Sequence, residues 1–210
     1  QKEANSQHGF TAEHTLSIAQ KLYEAKFITY PRTSSRYISD DVFATAPNLF
    51  KNLENHSEYG EIIKLLPDSE DYSKNSVNAG KVTDHHALLI TDTPAIGLYK
   101  DEKIVYDMVL HRMVEAFSAD CIKDITSVTA QVENEVEFVI SGSIIRQLGW
   151  RELSLKEKNG KQVKDADTAD NEVKEQVIPN WQKGQRISVT GCNITEGKTK
   201  PKPLHTESTL

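Results

Sequence analysis

The sequence predicts an α+β multidomain protein that is mainly helical at first and rich in β-strands afterwards. Two observations predict this division. Up to about residue 120, apolar residues recur at the three- and four-residue spacing of amphipathic helices. Beyond that point they alternate with polar residues, which is the pattern of strands that bury one face. With 210 residues, the chain is long enough to bury a hydrophobic core without disulfides or metal ions.

The first clear helix is expected from about Ala12 to Ala25. Thr11 precedes it and can accept a hydrogen bond from its first turn. Its apolar face is formed by Ile18, Ala19, Leu22 and Tyr23. Pro31 cannot continue a helix and favours extended backbone at Tyr30, so residues 28–35 should form a strand or turn that presents this tyrosine.

More helix is predicted before residue 120. Residues 40–66 have a mostly helical pattern, with breaks at Pro47 and near Gly60. A polar loop over residues 67–81 comes next. It is followed, further along the chain, by an amphipathic helix that Asp101 can cap.

A β-hairpin is predicted in the second part of the chain. Apolar residues alternate with polar ones over 128–132 and 136–140, with a short acidic turn between them. Residues 151–176 are heavily charged and nearly free of large apolar side chains, which predicts an exposed loop or a disordered excursion. A strand pattern resumes around Ile187 and Val189.

Composition argues against several classes of protein. No apolar run approaches the roughly 20 residues that span a bilayer, and the first ten residues do not resemble a signal peptide, so we expect a cytoplasmic protein with no membrane partner. Cys121 and Cys192 form neither a zinc-binding nor a disulfide pattern. The net charge of -6 disfavours nucleic acid as a partner unless a local basic site supplies the contacts.

The densest chemical pattern lies at residues 28–37, around Tyr30. The charged residues close to it in sequence are Lys21, Lys26, Arg32, Arg36 and Glu24. A phenol with a pKa of about 10 is only about 0.1% ionised at neutral pH, so a nucleophilic tyrosine needs positive charge beside it. Arg32 can stabilise a phenolate and can also bind two oxygens of a phosphodiester. The structural alternative is an exposed tyrosine near surface arginines.

A second pattern is the pair His85-His86, which leads into an apolar run. Adjacent histidines point in different directions on any regular element, so we do not expect them to share a metal ion. One imidazole could donate a hydrogen bond to a phosphate, and the alternative is an ordinary surface or core pair.

Three segments, in this order and spacing, resemble one family: residues 10–24, Ile28-Thr29-Tyr30-Pro31-Arg32-Thr33 and His85-His86-Ala87-Leu88-Leu89. They are similar to the capped helix, the hydrophobic-(S/T)-Y-x-R turn and the His-(His/Glu)-Ala block of type IA DNA topoisomerases. The likeness is closer to the topoisomerase III branch.

The resemblance implies a chemistry. The enzyme would cleave single-stranded DNA transiently through a 5'-phosphotyrosine link to Tyr30, pass a strand and reseal the break without ATP. Arg32 would share the catalytic role by stabilising negative charge. His85, Arg36 and Lys21 would contact the DNA.

The resemblance also implies a domain organisation. Residues 1–120 would form the helical domain with the nucleophilic tyrosine, and residues 121–205 part of a β-rich arch, or gate, domain that includes the charged loop at 151–176. Residues 206–210 would begin a base domain. The chain would then be an internal fragment, with the remaining domains of the parent enzyme as its partners, near the bacterial nucleoid.

Magnesium is the cofactor that the resemblance implies. In the family a Toprim domain binds it, and we expect no such domain and no metal site within this chain. Asp165 and Asp167 have suitable spacing but fall in the charged loop. The fragment alone is therefore expected to be inactive.

The chain departs from the family pattern at a few positions. Ser34 stands where relatives usually carry Asp, Ile90 where they carry Pro, and Leu204-His205 where they carry Arg and an aromatic residue. One alternative is a non-catalytic DNA-binding or scaffold protein with a topoisomerase-like domain. A tyrosine recombinase also combines Tyr, Arg and His, but there the tyrosine follows the other residues, whereas here it comes first.

Overall fold

The structure is a computed structural model that describes residues 1–132, 136–153, 173, 175–199, 201 and 204–205. It confirms the α+β class. Its α-helices are α1 (Lys2–His8), α2 (Ala12–Glu24), α3 (Asp40–Glu54), α4 (Gly60–Ile63) and α5 (Lys100–Phe117), and its strands are β1 (Ile122–Val132) and β2 (Val136–Gln147).

Helix α2 has the predicted start and ends one residue before the predicted end. The Thr11 side chain accepts a hydrogen bond from the His14 backbone N–H at 3.1 Å, which satisfies a donor of the first turn. After the helix, Lys26 adopts a left-handed conformation with φ of 64°. Its backbone N–H donates to the Tyr23 carbonyl at 2.8 Å. This turn sends the chain into the extended segment that carries Tyr30.

The predicted break at Pro47 is wrong, because α3 continues through this residue. Proline removes one backbone donor from a helix, but Ala46 and Phe50 beside it are each only 1% exposed. Their burial in the core offsets that cost. The break near Gly60 is confirmed, since α3 ends before it and α4 starts at it. A Cβ at Gly60 would lie 2.3 Å from the Glu54 carbonyl oxygen, so only glycine fits this close approach.

Two 3₁₀ turns, Ser69–Asp71 and Ala79–Lys81, interrupt the predicted polar loop. The assignment of Asp101 as a helix cap is wrong, because α5 begins at Lys100 and the capping position is Tyr99. The Glu102 carboxylate accepts from the Tyr99 backbone N–H at 3.1 Å.

The predicted hairpin is confirmed. Strands β1 and β2 are antiparallel, and their register pairs Val132 with Val136 next to the turn and Ala130 with Phe138 further along. The strand expected around Ile187 and Val189 is wrong, since this segment is exposed and pairs with no strand of the described residues. Alternation alone does not make a strand without a neighbour to complete its hydrogen bonds.

Most of the charged loop at 151–176 lies outside the described residues, as do Asp165, Asp167 and residues 206–210. The described part of the loop begins with a helical turn at residues 151–153.

One hydrophobic core positions the rest of the helical region. It contains the inner faces of α2, α3 and α5 together with residues from the connecting segments. The largest fully buried side chains are Tyr106, Phe50, Phe117, Leu22, Ile28, Ile38, Leu110 and Val114. Burying a large aliphatic or aromatic side chain of this kind stabilises the fold by about 1.5–3 kcal/mol. Within the described chain, no helix is long and apolar enough to cross a membrane.

Candidate active site

The site is built on two segments, residues 28–38 and 81–91, that are joined by backbone hydrogen bonds between Thr29 and Leu89 and between Tyr37 and Ala87. Ile28 and Ile38, at the two ends of the first segment, are each 1% exposed and belong to the core. The segment is therefore fixed at both ends while the residues between them reach the surface.

Backbone pairing fixes the residue before Tyr30. Thr29 donates its backbone N–H to the Leu89 carbonyl at 2.8 Å, and its hydroxyl oxygen accepts from the Leu89 N–H at 2.9 Å. Next to this pair, Ile28 forms an antiparallel bridge with Ile90. The hydroxyl of Thr29 thus replaces a backbone acceptor, a role that the sequence motif did not reveal. Tyr30 follows directly and starts from a well-defined backbone position.

The Tyr30 ring is half-buried between two other rings. Its centroid lies 4.4 Å from that of the His85 imidazole and 5.3 Å from that of Tyr23, which meets it edge-on at 76°. Aromatic pairs of this geometry are worth about 0.5–1.5 kcal/mol beyond their buried area. Among the described residues, none forms a hydrogen bond with the Tyr30 hydroxyl. The ring is therefore held while its oxygen is left for another partner.

The sequence placed Tyr23 on the apolar face of α2, and this assignment is wrong. Tyr23 is 38% exposed, because it lies in the last turn of the helix, past the core. The turn at Lys26 folds the next segment back toward it, so that Tyr23 meets Tyr30. A seven-residue spacing gives no sign of this contact, because it depends on the left-handed turn.

The two adjacent histidines point to different partners, as expected. His85 contacts Tyr30, and its backbone carbonyl accepts a hydrogen bond from the Thr33 hydroxyl at 3.1 Å. The Nδ1 atom of His86 lies 2.7 Å from the Ala87 carbonyl oxygen. The structure therefore brings only His85 to the tyrosine.

The hydroxyl residues after Arg32 hold the local backbone. The Thr33 hydroxyl oxygen accepts from the Ser35 N–H at 3.1 Å, and the Ser35 hydroxyl oxygen accepts from the Tyr37 N–H at 3.1 Å. Ser34, which stands where relatives usually carry Asp, is exposed. The hydroxyls that surround Tyr30 in sequence thus shape the turn that presents it.

The basic residues near Tyr30 are all exposed: Lys21, Lys26, Arg32 and Arg36. None of them makes an ion pair or a side-chain hydrogen bond with a described residue, and none contacts the Tyr30 ring. Glu24, the acidic residue nearby in sequence, accepts a hydrogen bond from Gln20 at 3.0 Å. The positive charge of these sequence neighbours is therefore not neutralised by a described residue, although the chain as a whole is acidic.

No group of three or more His, Cys, Asp or Glu residues that could hold a metal ion occurs in the described part of the chain. None of the described residues is therefore assigned to magnesium. Leu204, at the position where relatives usually carry Arg, is 93% exposed.

Comparisons with known proteins show the family of this chain. Residues 1–210 match the family model described as DNA topoisomerase. DNA topoisomerase 3 of Bacillus licheniformis is 33% identical to the chain, that of Bacillus subtilis 31% and that of Bacillus cereus 35%. Each comparison covers 100% of this chain and 28% of the relative, so the chain spans little more than a quarter of the length of these proteins. With the family model matched over its whole length, the chain belongs to the type IA DNA topoisomerase family, in the branch that resembles topoisomerase 3.

Proposed function

We propose that Tyr30 attacks the backbone of single-stranded DNA in an isomerase reaction. The phenolic oxygen forms a bond to phosphorus as the bond from phosphorus to the 3'-oxygen breaks. The phenolic proton leaves, and the departing oxygen takes up a proton to become a free 3'-hydroxyl. Because one phosphodiester replaces another, the break is resealed by the reverse step after strand passage, without ATP.

One observation carries this proposal: the Tyr30 ring is held between Tyr23 and His85, with its hydroxyl unused by the described residues. Family membership supports DNA as the substrate. Arg32, two residues after Tyr30, is the residue that would stabilise the phenolate and the charge that builds on the phosphate.

Three further residues are assigned to DNA binding: His85, Arg36 and Lys21. His85 would donate a hydrogen bond to a phosphate next to the cleaved bond, since its ring already lies against Tyr30. Arg36 and Lys21 are exposed and would bind further phosphates as charged donors.

The domain and cofactor assignments are part of the same proposal. Residues 1–120 would be the domain that carries Tyr30, residues 121–205 part of the arch, and residues 206–210 the start of the base domain. Magnesium would be bound by a Toprim domain outside this chain. The place of action would be the bacterial cytoplasm, at the nucleoid, as the bacterial relatives suggest.

Covalent trapping tests the proposal. The chain is combined with a Toprim-containing segment of the family and magnesium, and is then incubated with a labelled single-stranded oligonucleotide. A strand labelled at its 3' end should transfer its label to the protein, because the tyrosine keeps the 5'-phosphate of the downstream piece. A strand labelled at its 5' end should not.

Two variants and one control locate the chemistry. Tyr30→Phe should abolish the adduct, and Arg32→Lys should weaken it, because an ammonium group cannot bind two phosphate oxygens side by side. Tyr99→Phe, at a tyrosine that is 79% exposed, should have no effect. Label on Tyr30→Phe would show that another residue reacts. Strand binding without any adduct would favour the alternative of a non-catalytic DNA-binding protein.

A further inference from the structure

The two segments of the candidate site also carry a second pair of tyrosine and cation, Tyr37 and Lys81. The Lys81 ammonium donates a hydrogen bond to the Tyr37 hydroxyl at 3.2 Å and lies 4.7 Å from the centroid of its ring. Tyr37 is half-buried and Lys81 is exposed. Ser35 fixes both backbones, since its hydroxyl lies 3.2 Å from each of their carbonyl oxygens.

This pair lies on the same two segments as the candidate active site. Lys81 precedes His85 by four residues on one segment, and Tyr37 follows Tyr30 by seven residues on the other. A fully extended chain spans at most about 3.6 Å per residue, so the backbones of the two tyrosines lie within about 25 Å of each other. The bond from the Ala87 N–H to the Tyr37 carbonyl, at 2.8 Å, ties the segments together at this end as well.

The donors of the pair are only partly used. An ammonium group has three N–H donors, and one of those of Lys81 goes to Tyr37. The Tyr37 hydroxyl accepts that bond, which leaves its own proton for another acceptor. Neither residue makes an ion pair with a described carboxylate. Arg36, next to Tyr37 in sequence, is exposed and also unpaired.

We propose that Lys81 and Tyr37 form a phosphate subsite for the same single strand that Tyr30 attacks, at a phosphodiester other than the reacting one. This inference rests on the proposed function, because it assigns the subsite to that substrate. Lys81 supplies a charged donor and Tyr37 a neutral one. Consecutive phosphates lie along any single strand, so a strand whose reacting phosphate is at Tyr30 can reach a second site within that distance.

The pattern of donors favours a phosphate over a purely structural pair. If Lys81 served only to pack on Tyr37, its contact with the ring would stabilise the fold by about 0.5–1 kcal/mol, with or without DNA in the solution. A phosphate subsite, in contrast, makes DNA affinity depend on the charge of Lys81 and makes that dependence fall with salt.

The test measures binding of a fluorescent 12-nucleotide single strand to the chain across a series of salt concentrations. Lys81→Ala should weaken binding by about three- to tenfold and reduce the slope of log affinity against log salt by about 0.7, the value for one phosphate contact on a single strand. Tyr37→Phe should weaken it by about two- to threefold and leave the slope unchanged, because it removes a neutral donor.

Three controls make the outcome decisive. Lys51→Ala removes an exposed lysine in the last turn of α3, which makes no hydrogen bond or ion pair with either segment, and should change neither affinity nor slope. Lys81→Arg keeps the positive charge and should show nearly the affinity and slope of the unchanged chain. Its recovery shows that the effect of Lys81→Ala comes from the lost charge and not from misfolding. Lys81→Ala should weaken binding of an oligonucleotide with abasic positions by the same factor as binding of the intact strand, since the proposed contact is to phosphate.

Failure of this inference differs from failure of the proposed function. If Arg32→Ala weakens binding while Lys81→Ala leaves affinity and slope unchanged, the subsite is wrong and the role of Tyr30 stands. If Lys81→Ala behaves as stated but no covalent adduct forms at Tyr30 with the Toprim-containing segment, the subsite binds DNA and the proposed cleavage is wrong.

Discussion

Tyr30 and Tyr59 are two tyrosines of the helical region whose hydroxyls have different partners. Tyr59 is only 3% exposed, and its hydroxyl donates a hydrogen bond to the Asp107 carboxylate at 3.1 Å. Burial and, secondly, the negative charge of Asp107 raise the pKa of Tyr59 far above its usual value. Tyr30 is half-buried and bonded to no described carboxylate, and the basic residues close to it in sequence make no ion pair with a described residue. The same side chain is thus a structural anchor in one place and a candidate nucleophile in the other.

Removing each hydroxyl in turn should give opposite results. Tyr30→Phe should lower covalent DNA attachment by at least about a thousandfold, as expected for loss of a nucleophile, with little change in melting temperature. Tyr59→Phe should leave attachment intact and destabilise the fold by about 0.5–1.5 kcal/mol, through loss of a buried hydrogen bond. Adduct trapping measures the effect of each variant on attachment, and thermal melts measure its effect on stability. Equal effects of the two variants on attachment would break the comparison.

The carboxylate beside Tyr59 gives the next prediction. Asp107 accepts from Tyr59 and also from Lys103, whose ammonium lies 2.6 Å from its other oxygen. Asp107→Ala removes both acceptors and should destabilise the fold by about 1–3 kcal/mol in a urea titration. Asp101→Ala, on the same helix, breaks an exposed pair with His14 and should cost about 0–1 kcal/mol. A larger loss for Asp101→Ala would show that the anchor role belongs to the other end of α5.

Much of the fold could be predicted because its signals are local. The cap at Thr11 and the alternation on either side of the hairpin turn depend on neighbouring residues, and both predictions were confirmed. Pro47 was misjudged because the burial of its neighbours, which no local rule records, outweighs the lost hydrogen bond. The strand expected at Ile187 failed because a strand needs a partner from elsewhere in the chain.

The candidate site was only partly predictable for the same reason. The motif identified Tyr30 and His85, and the structure brings their rings together. The contact of Tyr23 and the pair of Tyr37 with Lys81 depend on how two distant segments meet, so spacing along the chain could not reveal them. The catalytic roles of Tyr30 and Arg32 and the DNA-binding roles of His85, Arg36 and Lys21 remain predictions.

The two histidines sharpen the comparison further. His85→Gln keeps a hydrogen-bond donor but loses the ring that packs on Tyr30, so covalent attachment should fall by about three- to thirtyfold while the melting temperature stays nearly unchanged. His86→Gln is the matched control, because the Nδ1 atom of His86 lies 2.7 Å from the Ala87 carbonyl oxygen. This substitution should affect stability more than attachment. A large fall in melting temperature of His85→Gln, with unchanged attachment, would make His85 a structural residue.

His111 gives the smallest expected effect, and it concerns the surroundings of Tyr59. Burial lowers the pKa of His111 from its usual value, and the positive charge of Lys103 acts in the same direction, while Asp107 and Glu3 oppose the shift. The folded chain therefore takes up this proton less readily than the unfolded chain. As the pH falls below about 6.5, where an unfolded histidine begins to bind protons, the folded state should lose stability until the pH passes the lowered pKa.

His111→Gln removes this titration. The difference in unfolding free energy between the natural chain and the variant should be constant at pH 7.5–8.5, where His111 is neutral in both states, and should shift against the natural chain as the pH falls toward 5. Urea titrations of the two proteins at matched pH values measure it, and the values above pH 7.5 serve as the internal reference. A difference that stayed constant down to pH 5 would mean that His111 titrates alike in both states, and that burial near Tyr59 does not disfavour charge as strongly as the comparison with Tyr30 requires.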